Sequence, residues 1–92
     1  MRATLTGVDA WKMGRDGQYF KRLYFQIENG GWTKTDLCKE HRNFARWERA
    51  GFEIGSLFGG LEFWKDGKTI DADSKVYLLA RPRRPDEQLG LL

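Results

Sequence analysis

A chain of 92 residues with 16 Lys+Arg against 13 Asp+Glu, hence a net charge of +3, describes one small and mildly basic domain. Its 40% hydrophobic and 32% charged residues make it too apolar for intrinsic disorder and too polar for a membrane protein. The longest apolar run, Val76 to Ala80, falls far short of the roughly 20 residues a bilayer requires. The segment Met1 to Gly7 carries no apolar stretch of the secretory type, and a single cysteine excludes an internal disulfide. Both features set the expectation of a cytoplasmic protein.

Three dipeptides punctuate the chain: Asp16-Gly17, Asn29-Gly30 and Asp66-Gly67. Such pairs accept positive φ and suit tight hairpins, and each is flanked here by β-branched or aromatic residues. They predict five strands, over residues 2–12, 18–28, 31–36, 52–64 and 68–80. In the second, Leu23, Phe25 and Ile27 point to a core, and Phe20, Arg22, Tyr24 and Gln26 point away from it. Trp32 and Lys34 continue that aromatic and basic mixture on the third strand. A helix is expected over 37–50, capped by Thr35 or Asp36 and ended by Gly51. Helical spacing groups Leu37, His41, Phe44 and Trp47 on one side, with Lys39, Arg42, Arg46 and Arg49 on the other. On the fourth strand Leu61 and Phe63 should face inward and Trp64 outward, and Tyr77 on the fifth offers a further ring. Gly7, Gly55, Gly59 and Gly60 mark bulges or bends.

The order β-β-β-α-β-β over residues 1–80 resembles the OB-fold, a five-stranded Greek-key barrel of about this size. An SH3-like barrel is the rival, but it does not usually place a long helix between the third and fourth strands. The expected architecture is therefore mainly β: an OB-fold-like domain over 1–80, followed by a flexible tail over 81–92. From Arg81 to Glu87 the only apolar residues are prolines, as in an extended tether.

Thirteen aromatic residues are more than so small a core can bury. The charge is also uneven: residues 1–49 carry ten basic and six acidic side chains, and residues 50–80 carry three and five. Exposed rings interleaved with cations suit single-stranded DNA, whose unstacked bases lie on rings while cations meet phosphates. Phe20, Arg22, Tyr24, Trp32 and Lys34 form the centre of that candidate surface, with Trp64 and Tyr77 as further platforms. The OB-fold resemblance implies ligand contacts across strands two and three and from the loops of the 1–2 and 4–5 connections. Those loops hold Arg15, Lys65 and Lys68. The plainer alternative packs the outer rings under the helix or at a homodimer interface. The basic helix stripe is either a second phosphate track or a solvated face.

Catalysis has little support. Cys38 and His41 form half of a metal-ligand spacing with no second pair, and a core histidine beside a small buried cysteine is the expected reading. Asp71 and Asp73 have no partner that would make them an acid–base pair, and no glycine-rich phosphate loop occurs. No enzyme activity, metal or cofactor is expected.

The last five residues, Gln88-Leu89-Gly90-Leu91-Leu92, resemble the bacterial sliding-clamp-binding motif Q-L-x-L-F, with Leu92 where the motif prefers Phe. The resemblance implies that Gln88 hydrogen-bonds at a pocket edge while Leu89, Leu91 and Leu92 fill apolar subsites. Asp86 and Glu87 before them loosely resemble the acidic tail of bacterial single-stranded-DNA-binding proteins, without its terminal Phe. A leucine tail folded back on the domain is the alternative. Together these features predict a non-enzymatic, phage-like single-stranded-DNA-binding protein of replication or recombination that recruits a sliding clamp. The rival class is a host-directed interaction module or inhibitor that binds no nucleic acid, and RNA binding is a third reading.

Overall fold

In the computed structural model, which describes residues 1–82, Gly17, Gly30 and Gly67 all adopt positive φ, so the three expected turns form at their dipeptides. The elements are β1 (Ala3–Val8), β2 (Lys12–Met13), β3 (Tyr19–Ile27), β4 (Trp32–Cys38), α1 (Phe44–Ala50), β5 (Leu57–Gly59) and β6 (Tyr77–Ala80). All strands join one antiparallel sheet. β3 lies between β4 on one side and β1 followed by β2 on the other. β1 also pairs with β5, and β5 with β6. A register shift between Leu5 and Gly7 bends β1 against β3.

Alternation along the strands sends Leu5, Leu23, Phe25, Leu37 and Phe58 into the core, where each is essentially inaccessible to water. Trp47 of α1 completes that core. Its ring lies 6.2 Å from Phe25, which in turn meets Phe58 edge-on at 5.9 Å. The buried indole N–H donates to the Ala72 carbonyl at 2.8 Å, so the polar end of this large side chain is satisfied.

The helix is much shorter than the spacing predicts. Leu37 and Cys38 extend β4 instead, paired with Lys21 and Phe20. A nine-residue β3 offers these residues ladder partners, and tertiary pairing overrides their helical pattern. Leu37, His41, Phe44 and Trp47 therefore do not share one helix face, and Lys39 and Arg42 precede the helix. Neither Thr35 nor Asp36 caps it: the N-cap is Asn43, which makes no side-chain capping bond. The Asn43 amide instead donates to the Ala72 and Ser74 carbonyls, both at 2.8 Å. Gly51 ends the helix as expected, with φ of 88° and its N–H shared between the Trp47 and Glu48 carbonyls.

The last two expected strands also contract, to β5 and β6. Gly55 and Gly60 take positive φ and break the extended path, and the Ser74 hydroxyl donates to the Asp71 carbonyl at 2.6 Å to make a turn. Between them a single Phe63–Ile70 bridge remains. Leu61 is buried and Trp64 points outward as expected, but Phe63, expected inside, is 44% exposed.

One connection does most to position the surface described next. The segment from Lys68 to Ile70 runs beside β4, where the Ile70 N–H donates to the Lys34 carbonyl at 2.8 Å. The Thr35 hydroxyl donates to the Ile70 carbonyl at 2.8 Å and the Thr33 hydroxyl to the Lys68 carbonyl at 2.6 Å. Among the described residues no helix is long and apolar enough to cross a membrane.

Candidate nucleic-acid interface

The β3–β4 ladder sets Phe20, Arg22, Tyr24 and Gln26 opposite Cys38, Asp36, Lys34 and Trp32, all on the side of the sheet away from the core. The strap from residues 64 to 70 then raises a second wall along β4. Between them lies a cleft of about 390 Å³ lined by Tyr24, Trp32, Thr33, Lys34, Asp66, Lys68 and Thr69. A second cleft of about 330 Å³ shares Lys34 and Thr69 with the first and adds Asp36, His41 and Trp64. A third, of about 240 Å³, shares Asp36 with the second and ends at Gln18, Phe20 and Cys38. The shared residues make these clefts one groove following β4.

The rings in the groove are held in different ways. Trp32, at 69% exposure, stands almost free, and Trp64 carries the Lys65 ammonium 5.0 Å from its ring centre. The Tyr24 ring rests against Gly7, where any Cβ would come within 3.2 Å of a ring carbon. Its hydroxyl donates to Asp9 Oδ2 at 2.9 Å. That bond favours the neutral phenol and, with burial and the nearby Asp9 charge, raises the Tyr24 pKa above the ordinary tyrosine range.

Five carboxylates also line the groove, and two of them, Asp36 and Asp73, are paired with arginines, while Asp16 and Asp71 each accept a backbone amide. Asp36 accepts two bonds from Arg22, at 2.7 and 3.2 Å, and this pairing raises the arginine's already high pKa. Asp73 accepts two from Arg42, at 2.8 and 2.7 Å, which lowers its pKa and raises that of Arg42. Asp66 accepts the Thr69 and Lys68 amides and the Thr69 hydroxyl, so it is held below the usual carboxylate range and fixes the Asp66-Gly67 turn. Lys34, Lys65 and Lys68, by contrast, make no ion pair among the described residues. Among the described residues the groove thus presents rings and ammonium groups without ion pairs, with Asp36 and Asp73 neutralised by arginines and Asp16, Asp66 and Asp71 held by neutral backbone or hydroxyl donors.

Tyr24, Trp32, Lys34 and Lys68 therefore converge on one cleft, and Trp64 with Lys65 adjoins it. Phe20 and Arg22 lie further along the same face, with Arg22 committed to Asp36. Arg15 is exposed on the β2–β3 turn, outside these clefts. Tyr77 lies elsewhere, in a cleft with Arg46 and Arg49. Gln88, Leu89, Leu91 and Leu92 lie outside the described residues. Cys38, expected on a buried helix flank, is partly exposed on β4, its thiol 3.0 Å from Gln18 Oε1. His41 Nδ1 accepts the Asn43 amide at 3.0 Å, and its Nε2 lies 3.6 Å from Asp73. No group of three His, Cys, Asp or Glu side chains among the described residues is arranged to hold a metal ion. Asp9 and Thr33 carry no sequence signal for this surface, while Gly7 and Thr35, expected as a bend and a helix cap, serve it as the seat of the Tyr24 ring and the anchor of Ile70.

No protein-family model matches the chain, and neither a curated protein nor a solved structure is significantly similar to it.

The Asp9–Tyr24 bond predicts that one of the three tyrosines ionises later than the others in an ultraviolet pH titration. Asp9→Ala should return it to the ordinary range. Because the folded pKa is raised, the bond's contribution to stability is present below the unfolded tyrosine pKa and is lost as pH rises through the folded one. Three coincident transitions in the native protein would contradict the assignment.

Proposed function

We propose that this protein binds single-stranded DNA along the β3–β4 groove, without catalysis. The observation that carries the reading is the convergence of Tyr24 and Trp32 with Lys34 and Lys68, two cations with no ion pair among the described residues, on one open cleft. An unpaired base has an apolar face that a ring can cover, and its phosphate is an anion that an ammonium can meet. Duplex DNA hides those faces, so the single strand is the form this surface suits. Trp64 and Lys65 would extend the track, and Phe20 would lie at its far end. Arg22 would reach a phosphate only by leaving Asp36, so its role in this reading is to neutralise that acid.

The strand order supports an OB-fold-like barrel as the finer description. β4, β3 and β1 form a meander, β5 returns to lie beside β1, and β6 lies beside β5. This is the spatial order of a Greek key. The strap between Ile70 and Lys34 lies on the side where such a barrel would close. Ligand contacts from strands two and three and from the connection between strands four and five are the expected mode for that fold.

Titration of labelled oligo-dT tests the groove. Tyr24→Ala or Trp32→Ala should each weaken binding by about 1–3 kcal/mol, or about 5- to 150-fold. If Lys34, Lys65 and Lys68 each meet one phosphate, log K should fall with log salt with a slope of about −2 from these three contacts. Absence of binding at low salt, or binding indifferent to both substitutions, would overturn the reading and favour a protein partner for the same rings.

The proposal extends to the terminal peptide. Gln88, Leu89, Leu91 and Leu92 would engage a sliding clamp, joined to the DNA-binding domain by the Pro- and Arg-containing segment. Immobilised clamp should retain the full chain and lose it when residues 88–92 are removed, with oligo-dT affinity unchanged. Equal capture of both forms would rule out this role.

A further inference from the structure

We propose that the open edge of β6 takes up an extended segment of another protein as an added strand, one whose side chains alternate between apolar and acidic. β6 is the last strand of its sheet and, among the described residues, pairs with β5 alone. A strand with one unpaired edge is a template for a further strand, and such edges are usually blunted by charge or proline. Tyr77–Ala80 contains neither. Its nearest cations, Lys75 and Arg81, stand outside it, one before its start and one after its end.

The two faces of β6 differ in chemistry. Tyr77 and Leu79 point away from the core and are 53% and 42% exposed. The Tyr77 ring lies across Gly59, its partner in the ladder, where a Cβ would come within 2.7 Å of a ring carbon. Val76 and Leu78 are on the other face and line a cleft of about 280 Å³ between β6 and α1, whose helical wall carries Arg46, Arg49 and Ala50. No carboxylate lines that cleft. Arg46, Arg49, Lys75 and Arg81 all lack an ion pair among the described residues. An apolar outer face and a basic inner one therefore meet along an edge of unpaired backbone.

An added strand sets its alternate side chains on these two faces. Those beside Tyr77 and Leu79 meet a ring and an aliphatic chain, and those on the α1 side meet two guanidinium groups. In such a contact the backbone hydrogen bonds supply affinity and the side-chain positions supply selectivity. A second copy of β6 does not fit. A symmetric antiparallel pair centred on Leu78 would set Lys75 opposite the copy's Arg81, and like charges opposed across a ladder are unfavourable. A strand of DNA has no repeat of N–H and C=O groups to match the edge, so the cations here point to an acidic peptide.

The probe is a short N-acetylated peptide in which valine and glutamate alternate, compared with the same peptide carrying lysine in place of glutamate. Each is added to the ¹⁵N-labelled full chain up to about 1 mM, with and without oligo-dT. The glutamate peptide should shift the amides of residues 76–81, and the lysine peptide should not. Against Arg46→Glu/Arg49→Glu the glutamate peptide should bind about 2- to 30-fold more weakly, and the lysine peptide should gain. Thermal melts by circular dichroism establish that the variant is folded. If it is not, Arg46→Gln/Arg49→Gln removes the same attraction and should weaken the glutamate peptide alone. No shift at residues 76–81, equal binding of both peptides, or shifts confined to Tyr24, Trp32 and Lys34 would each overturn the proposal. Displacement of the glutamate peptide by oligo-dT would do the same. The peptide titration needs no DNA, so failure of oligo-dT to bind would overturn the groove reading and leave this one standing.

Discussion

The candidate surface depends on three hydrogen bonds that hold residues 68–70 against β4. The Ile70 amide bonds the Lys34 carbonyl, and the Thr35 and Thr33 hydroxyls bond the Ile70 and Lys68 carbonyls. Without them β3 and β4 would present a flat sheet face with rings and charges but no opposite wall. A hydrogen bond of this kind contributes about 0.5–1.5 kcal/mol, and a buried group left unpaired costs about 1–3 kcal/mol. Thr35 is 2% exposed and Thr33 8%, so the strap has its footing inside the protein. This explains why two small hydroxyls occupy inward-facing positions that a strand would otherwise fill with Val or Ile.

The second constraint is electrostatic. For the proposed polyanionic ligand free carboxylates are unfavourable, and several carboxylates line this groove. Two of them are neutralised, Asp36 by Arg22 and Asp73 by Arg42, and the backbone of residues 68 and 69 holds Asp66 in its turn. Those pairs are largely exposed and contribute little to stability. Their importance is local, because they leave Lys34, Lys65 and Lys68 as the cations along β4 and its strap without ion pairs among the described residues. The net charge of +3 alone could not have identified which cations remain available.

Much of the architecture was legible before folding. The Asx-Gly turns, the alternation of β3 and the outward set Phe20, Arg22, Tyr24, Trp32 and Lys34 all followed from periodicity and turn chemistry. The helix starts later than its spacing predicts because Leu37 and Cys38 fit a 3.6-residue pattern, whereas their pairing with Lys21 and Phe20 is a long-range fact no local pattern contains. The last two strands are shorter than the Asp66-Gly67 turn predicts because, although Phe63, Trp64, Thr69 and Ile70 flank that turn, Gly60 and the Ser74 turn break the extended path. Tyr77 was grouped with Tyr24 because both are exposed strand rings. Only the fold separates them, since Tyr77 lies on β6 with its ring over Gly59 and Gly60. The seating of each ring on glycine was likewise invisible, since Gly7 and Gly59 read in sequence as bends.

The most direct measurement of the central claim uses the four tryptophans as reporters in a ¹H–¹⁵N correlation spectrum during titration with oligo-dT. Trp32 and Trp64 line the groove, Trp11 packs against Phe44, and Trp47 is buried with its indole N–H on Ala72. The account predicts that the Trp32 and Trp64 indole signals move together and saturate at one concentration, while those of Trp11 and Trp47 stay in place. A spectrum in which no indole moves, or in which Trp11 moves and Trp32 does not, would contradict it.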